Sequence, residues 1–346
     1  MDDVRGFYAD PVVRNAGFPG QLTEEFQGRL ARAHSNLTSD QCEFYHSMDL
    51  GPAGFVEGVW DLRGEERTYL GCVDVAGQRV LEVGPATGHL TFHMERHGAD
   101  VVGFDLAPGQ PADIVPQVGH DLAAQRRLSI GYAERVRNSW WYCHSRLGSK
   151  ARAVYGDIYR LPPDLGRFDV AILGSVLLHL SQPFAALREA ASLADKAVVV
   201  TEPVPRVPAD ERSALLEFAP VDTAKTVIVW WQLMPGAIIR MLKVLGFLEF
   251  SVHYHVKKHH HHHEMDKPAE ESLYFTVVAE RHEGWAPRLE RTEDERSAEH
   301  DVLRAWSSPD LSARCELEAL RSSLSWRLTR PVRSAGALLR RLGLRG

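Results

Sequence analysis

The sequence predicts an α/β fold in which helices cover both faces of a doubly wound, mostly parallel sheet of seven strands. Short apolar runs typical of buried parallel strands alternate with helical stretches between about residues 78 and 201. Two longer segments, 247–257 and 272–280, then fit a closing antiparallel pair. Because strands separated by helices form parallel sheets, this alternation determines the fold class.

Each predicted element follows from a local pattern. The strands are expected at 79–83, 100–105, 151–155, 168–173, 197–201, 247–257 and 272–280, with helices at 89–97, 119–147, 183–193 and 236–245. Gly98 and Gly246 suit the ends of two of these helices, since glycine readily adopts the left-handed conformation found there.

The chain is expected to divide into four parts. These are a helical N-terminal cap at 1–75, a core at 76–282, a charged linker at 283–314 and a basic amphipathic tail at 315–346. The core is expected to contain insertions near 110–150 and 203–235, the second with five prolines, and a His-rich hairpin loop at 257–268.

The composition is that of an ordinary globular protein, with 44% hydrophobic and 25% charged residues. No apolar run approaches the roughly 18 residues of a membrane span, and the acidic N-terminus lacks the features of a secretory signal. We therefore expect a cytoplasmic protein. The four cysteines are far apart, which predicts free thiols. A net charge of −6 argues against DNA binding.

A glycine-rich turn follows the first strand and begins the first helix. Gly84 and Gly88 permit unusual dihedral angles and leave space for a ligand, toward which the helix points its N-terminal amides. Asp105 ends the second strand, where an acid can accept both ribose hydroxyls. Asp157 follows the third strand and can accept an adenine amino group, with Ile158 beside the ring. The sequence lacks the glycine patterns of dinucleotide and triphosphate binding.

Residues 82–88, EVGPATG, resemble motif I of class I S-adenosylmethionine-dependent methyltransferases, whose fold is Rossmann-like. The resemblance covers about 76–282. It implies that Glu82 orients the methionine end of the cofactor, and that residues 168–180 lie beside the transferred methyl. The residues implied to bind S-adenosylmethionine, and its product S-adenosylhomocysteine, are Glu82, Gly84, Pro85, Ala86, Thr87, Gly88, Asp105, Leu106, Asp157, Ile158, Gly174 and Ser175.

Further segments resemble one bacterial branch of that family. Residues 44–50 and 229–235 are similar to segments of tRNA wobble-uridine carboxymethyl-transfer enzymes and of polysaccharide-biosynthesis relatives. The blocks at 138–141 and 155–157 resemble the polysaccharide group more closely. By analogy with the tRNA enzyme, Tyr45 and His46 are expected to form a gate over the cofactor.

Methyl transfer to a hydroxyl requires alignment of the acceptor and removal of its proton. His179 follows the fourth strand and is the favoured base, with capping of a helix as the alternative. His144 is a second catalytic candidate. It lies one helical turn from Trp140 and Trp141, so these rings line an acceptor pocket or belong to the core.

The inserted segment brings two more candidates. Trp230 and Trp231 are expected to bind substrate, with ordinary burial as the alternative. No metal is expected, because the five histidines at 259–263 have no fixed coordination geometry. We expect that run to be a solvated tract in the hairpin loop.

The tail has seven arginines and no acid between Arg321 and Arg345. A basic amphipathic segment can lie on an anionic membrane surface or bind a partner, and folding against its own domain is the alternative. Residues 325–331, SWRLTRP, resemble a tail found in bacterial glycosyltransferases and O-antigen enzymes. A glycosyltransferase partner or the inner face of the membrane is therefore expected.

These features predict an O-methyltransferase that acts on a sugar or glycan hydroxyl in bacterial cell-surface polysaccharide biosynthesis. A tRNA-modifying methyl or carboxymethyl transferase is one alternative. It needs a basic groove and a cation beside the methyl, for which Arg63 and Arg67 are candidates. The other alternative is a non-catalytic, cofactor-binding scaffold that recruits glycosyltransferases.

Overall fold

The computed structural model describes residues 36–161, 165–205, 214–220, 228–260 and 268–306. The predicted tail at 315–346 and the histidines at 261–263 lie outside the described residues. None of the described helices is both long and apolar enough to cross a membrane.

The described strands and helices agree closely with those expected for the core. The strands are β1 (Met48–Asp49), β2 (Phe55–Val56), β3 (Trp60–Asp61), β4 (Arg79–Val83), β5 (Asp100–Leu106), β6 (Arg152–Gly156), β7 (Phe168–Gly174), β8 (Ala194–Pro203), β9 (Leu216–Phe218), β10 (Trp231–Leu233), β11 (Glu249–His259) and β12 (Glu270–Glu280). The α-helices are α1 (Glu66–Tyr69), α2 (His89–Arg96), α3 (Leu122–Leu147), α4 (Pro183–Leu193), α5 (Pro235–Val244) and α6 (Glu293–Trp306).

One sheet of eight strands organises the molecule, in the order β3-β11-β12-β8-β7-β4-β5-β6. The five strands from β8 to β6 are parallel, and β12, β11 and β3 continue the sheet in antiparallel fashion. The predicted doubly wound, mostly parallel fold is confirmed. The sheet has eight strands rather than seven because Trp60 and Asp61 of the cap pair with the end of β11.

The alternation of side chains along the strands produces two hydrophobic cores. Leu81 and its neighbours on one face pack with apolar residues of α4 and α5. Val80 and its neighbours on the other face pack with α2, α3 and the cap. The chain order reverses between β4 and β7, which is where ligands usually bind at the carboxyl edge of such sheets.

The described part of the cap, residues 36–75, contains little α-helix. It forms short strands, 3-10 turns and the four-residue helix α1. Its backbone adopts positive φ at Gly51, Gly54 and Gly64, and such positions interrupt helices. The described part of this segment therefore contains much less helix than the sequence led us to expect.

The His-rich hairpin loop begins later than the expected residue 257. β11 continues through His259, which pairs with Glu270, and the amide of His260 donates to the carbonyl of Val59. The ring of His259 stacks on Trp60 with centroids 4.6 Å apart. The expectation of a solvated tract is therefore wrong for His259 and His260, because the cap supplies β3 to the sheet edge.

The expected charged linker is partly ordered by α6, which packs on β11. Glu299 accepts a hydrogen bond from the amide of Tyr254, at 2.9 Å. Arg67 pairs with Glu295 at 3.0 Å. The expected insertion at 110–150 is largely the long helix α3, and that at 203–235 contributes the β9–β10 hairpin.

Candidate active site

The turn between β4 and α2 lies at the carboxyl edge of the sheet, next to the end of β7. Gly84 has φ of 70°, and a Cβ placed there would lie 2.8 Å from a methyl of Val176. Gly88 has φ of 91°, and a Cβ there would lie 2.7 Å from the ring of Trp140. Both positions therefore require glycine, and the turn keeps an open strip of backbone at Gly84 and Ala86, which are half-buried.

The other residues of the turn fix its position. Thr87 is fully buried, and its hydroxyl oxygen accepts from the amides of Tyr45 at 2.7 Å and His46 at 3.2 Å. Ser139 of α3 also donates to this oxygen, at 3.3 Å. Pro85 packs against the backbone of β5. The hydroxyl of Thr87 thus ties the cap and α3 to the turn.

Three acids end three neighbouring strands, as the sequence pattern requires. Glu82 lies in β4 at 4% exposure and accepts from the hydroxyl of Thr91. Asp105 in β5 accepts from the amide of Leu106 at 2.7 Å, and Asp157 after β6 accepts from the amide of Tyr159 at 2.9 Å. The structure therefore brings these carboxylates to one edge of the sheet.

Burial makes two of these acids receptive to a cation. Burial raises the pKa of Glu82 to about 7, and the charge of Asp105 adds to this increase. Burial likewise raises the pKa of Asp105, although hydrogen bonding from Leu106 and the charge of Arg137 oppose it. A positively charged ligand would favour the ionised form of both carboxyls, in addition to what Arg137 already does for Asp105.

Arg137 of α3 is a site residue that the sequence pattern did not reveal. Its guanidinium donates to the carbonyl of Leu106 at 3.0 Å and lies 4.9 Å from the centre of the Tyr155 ring. Ile158 is buried in the adjoining core. The helix predicted at 119–147 contains Arg137, but its spacing alone does not indicate which of its residues meet the strand ends.

The segment after β7 turns sharply. Ser175 adopts φ of 54°, and a Cβ at Gly174 would lie 2.9 Å from the ring of Tyr69. The hydroxyls of Tyr69 and Ser175 are 3.2 Å apart. A short 3-10 helix, Leu177–His179, follows directly. Gly174 and Ser175 therefore lie where β7 meets the glycine turn of β4.

His179 has a defined tautomer. Its Nδ1 lies 2.6 Å from the carbonyl oxygen of Ile228, and a carbonyl can only accept, so Nδ1 carries the hydrogen. The lone pair is then on Nε2. Burial lowers the pKa of His179, with the bond to Ile228 opposing the decrease. The imidazole is thus neutral near pH 7 and able to take a proton.

The other predicted rings occupy two different environments. Trp140, Trp141 and His144 are buried together, with Trp140 stacked on His144 at 4.9 Å. His144 bonds the carbonyl of Ala151 through Nε2, at 3.0 Å. The structure therefore places these three in the core, beneath the glycine turn rather than at an open surface.

Trp230 and Trp231 are half-buried and lie near His179. The amide of Trp230 donates to the carbonyl of Leu178 at 2.8 Å. The indole of Trp230 donates to the carbonyl of Asp113 at 2.8 Å, and that of Trp231 donates to Ser181 at 3.4 Å. These contacts hold the β9–β10 segment against the turn that contains His179.

Tyr45 and His46 differ in exposure. Tyr45 is half-buried beside Trp60, with ring centroids 6.4 Å apart. His46 is buried beside His89.

Within the described ranges, no group of three or more histidines, cysteines or acids is arranged to hold a metal ion.

Solved structures of methyltransferases resemble this chain at low identity. The N-terminal domain of EvdMO1 with S-adenosylhomocysteine bound is 16% identical, with a TM-score of 0.42, over 73% of this chain and 96% of that chain. The S-adenosylhomocysteine-bound magnesium protoporphyrin IX methyltransferase from Synechocystis is 16% identical, with a TM-score of 0.38, over 63% and 84%. A putative methyltransferase from Bacillus halodurans is 14% identical, with a TM-score of 0.38, over 63% and 98%.

The comparison with family models is more informative than these structures. Residues 64–247, more than half of the chain, match the family model described as a methyltransferase domain. No curated protein sequence matches the chain. The matched region contains the glycine turn and the three strand-end acids. The chain belongs to this methyltransferase-domain family.

Proposed function

We propose that this enzyme is an O-methyltransferase that transfers the methyl group to a sugar hydroxyl during the biosynthesis of a bacterial cell-surface polysaccharide. The observation that supports the reaction is the fixed tautomer of His179 at the end of the β7 turn. The polysaccharide context rests on the sequence resemblances at 138–141 and 325–331.

The residues present fit the cofactor. The backbone of the turn is partly exposed at Gly84 and Ala86, and the buried carboxyl of Glu82 and the half-buried one of Asp105 favour a cationic ligand. We assign Glu82 to the methionine end, Asp105 to the ribose and Asp157 to the adenine. When bound, S-adenosylmethionine supplies an electrophilic methyl on a positively charged sulfur.

His179 has the role of general base in this proposal. The acceptor oxygen forms a bond to the methyl carbon as the carbon–sulfur bond breaks, and the electron pair of that bond stays on sulfur. The hydroxyl proton moves to Nε2 of His179, while the Nδ1 hydrogen bond to Ile228 holds the ring and its tautomer. The products are a methyl ether and S-adenosylhomocysteine.

Two ion pairs disfavour the alternative of a carboxylated cofactor. Arg63 pairs with Asp61 at 2.7 Å, and Arg67 pairs with Glu295 at 3.0 Å. Both of the arginines that were candidates for binding a cofactor carboxylate therefore already have acidic partners. The scaffold alternative predicts binding of the cofactor without turnover, which the following experiment detects.

The test measures transfer of tritiated methyl groups to cell-surface glycans and, separately, to tRNA. His179→Gln should lower kcat by about 10²- to 10⁴-fold, because the base is lost. It should leave the Kd of S-adenosylhomocysteine unchanged. His97→Gln is a matched control, since His97 also bonds a backbone carbonyl through Nδ1, at 2.8 Å, but lies exposed at the end of α2.

The pH profile gives a second readout. Because burial lowers the pKa of His179, the midpoint of the acidic limb in the pH profile of kcat should lie below the ordinary histidine pKa of 6.5. His179→Gln should remove that limb. Unchanged kcat in His179→Gln would exclude the proposed base. Methylation of tRNA but of no glycan would exclude the sugar acceptor.

A further inference from the structure

The order of strands separates the place of the cofactor from the place of the acceptor. The acids assigned to the cofactor end β4 and β5 or follow β6, which form one half of the parallel sheet. β7 flanks β4 on the other side, and Gly84 meets Val176 at that junction. A cofactor held along β4, β5 and β6 presents its methyl at this junction. The acceptor must then approach over the ends of β7, β8 and β12.

A group of tyrosines lies at that end of the sheet. Tyr69 packs against Gly174, and its hydroxyl is 3.2 Å from the hydroxyl of Ser175. Tyr274 of β12 lies 6.4 Å from Tyr69, ring centre to ring centre. Both tyrosines are 5% exposed, whereas Ser175, beside the hydroxyl of Tyr69, is half-buried.

Aromatic rings of the cap extend this group outward. Trp60 lies 5.8 Å from Tyr274 and 6.4 Å from Tyr45, ring centre to ring centre. The stack of His259 on the Trp60 ring holds that ring in place, and Trp60 and Tyr45 are both half-buried. Such a surface of aromatic faces and hydroxyl groups suits a molecule with apolar C–H faces and many hydroxyls.

The tyrosine hydroxyls and the imidazole of His255 at this surface are uncharged at neutral pH. Burial raises the pKa of Tyr45 to about 12, and it raises the pKa values of Tyr69 and Tyr274 further. Burial also lowers the pKa of His255, which lies 5.8 Å from Tyr69. The nearby amine of Lys257, 5.4 Å from the Tyr69 ring, is balanced by a carboxylate oxygen of Glu65 at 3.7 Å.

Glu202 completes the neutral surroundings. It lies near the carboxyl end of β8, much as Asp105 lies near the carboxyl end of β5, and it is fully buried. Its Oε1 accepts from the amide of Leu177 at 2.8 Å, whereas Oε2 has no partner within the described part of the chain. Burial raises the pKa of Glu202 to about 8, so the carboxyl is protonated at pH 7.

We propose that Tyr45, Trp60, Tyr69 and Tyr274 form the acceptor wall, and that this wall binds an uncharged, polyhydroxylated sugar unit. The sugar ring stacks on Trp60, and its hydroxyls meet those of Tyr69 and Tyr274. This inference rests on the proposed function, since it requires the methyl acceptor to be a sugar.

The experiment is saturation-transfer difference NMR on the full chain, measured with enough S-adenosylhomocysteine to occupy every cofactor site. D-fucose is the neutral probe, and D-glucuronate is the anionic probe. D-fucose should give a signal with the wild type. Trp60→Ala and Tyr274→Phe should weaken its binding up to about tenfold, through loss of stacking and of a hydroxyl. The Kd of S-adenosylhomocysteine should remain unchanged in both variants, which also verifies folding. Tyr254→Phe, a buried tyrosine on the other face, is the control.

Each contrary result overturns a different statement. Equal D-fucose signals in the wild type and both variants would place the acceptor elsewhere and leave the proposed function standing. A stronger signal from D-glucuronate would contradict a neutral acceptor. Absence of sugar binding by the wild type, together with methylation of tRNA, would overturn both the wall and the proposed function. If Trp60→Ala loses S-adenosylhomocysteine binding, Tyr69→Phe and Tyr274→Phe decide the question.

Discussion

The two halves of the carboxyl edge differ in charge and in how they are assembled. The half at β4, β5 and β6 presents one buried acid, Glu82, and two half-buried acids, Asp105 and Asp157, each in or directly after its own strand. The half at β7, β8 and β12 presents hydroxyls and aromatic rings supplied by the cap, by β7 and by β12. One sheet edge thus has the proposed cofactor region, which is acidic, beside the proposed acceptor region, whose hydroxyls are uncharged. A reaction between a charged methyl donor and an uncharged hydroxyl requires these two environments side by side.

The largest expected effect concerns the charged half. Asp105→Ala should weaken S-adenosylhomocysteine binding by about a hundredfold, because two charge-assisted hydrogen bonds to the ribose are lost. Isothermal titration measures this Kd. Asp195→Ala, which removes an exposed partner of Arg167, should bind as the wild type does. Equal affinities of Asp105→Ala and the wild type would mean that the cofactor does not lie along β5.

This difference in assembly also explains what the sequence could predict. The acids of the charged half are adjacent in the chain to strands and turns with clear local patterns, so Glu82, Asp105 and Asp157 could be assigned before the structure. The neutral half joins residues that are distant in sequence, such as Tyr69 and Tyr274, and no local pattern links them. Glu202 directly follows the strand predicted at 197–201, so its place at a strand end is visible in the sequence, whereas its burial is not.

The rings of α3 show a second limit on what can be predicted from the sequence. Helical spacing correctly groups Trp140, Trp141 and His144 on one face of α3, but it does not reveal which way that face points. The structure turns it toward the sheet, where Trp140 and His144 pack with Phe92 and Trp141 packs with both of them. The environment of the histidine run was also hidden, because β3 is too short to stand out and its pairing with β11 is a tertiary contact.

A smaller effect is expected in the pH dependence of cofactor binding, which should come from the charged half. Burial raises the pKa of Glu82 to about 7, and a cationic ligand favours its ionised form. The affinity for S-adenosylhomocysteine, which carries an ammonium group, should therefore rise by up to about tenfold per pH unit as pH increases toward 7. Glu82→Gln should flatten this dependence. Parallel profiles for the wild type and Glu82→Gln, measured by titration between pH 5.5 and 8, would assign the dependence to another group.

The smallest effect on cofactor binding is expected at Glu202, in the neutral half. Glu202→Gln should leave the Kd of S-adenosylhomocysteine within about twofold of the wild type, since a protonated carboxyl and an amide are both uncharged.

The substitution Glu202→Gln should instead change how the free energy of unfolding depends on pH. Burial raises the pKa of Glu202 from 4.5 to about 8, so its favourable contribution to stability is complete below pH 4.5 and is lost as pH rises through 8. Urea unfolding without ligand should therefore show the wild type losing on the order of a few kcal/mol between pH 5 and 9 relative to Glu202→Gln. If the two proteins lose stability in parallel, Glu202 is ionised throughout, and the acceptor half of the edge contains a charge after all.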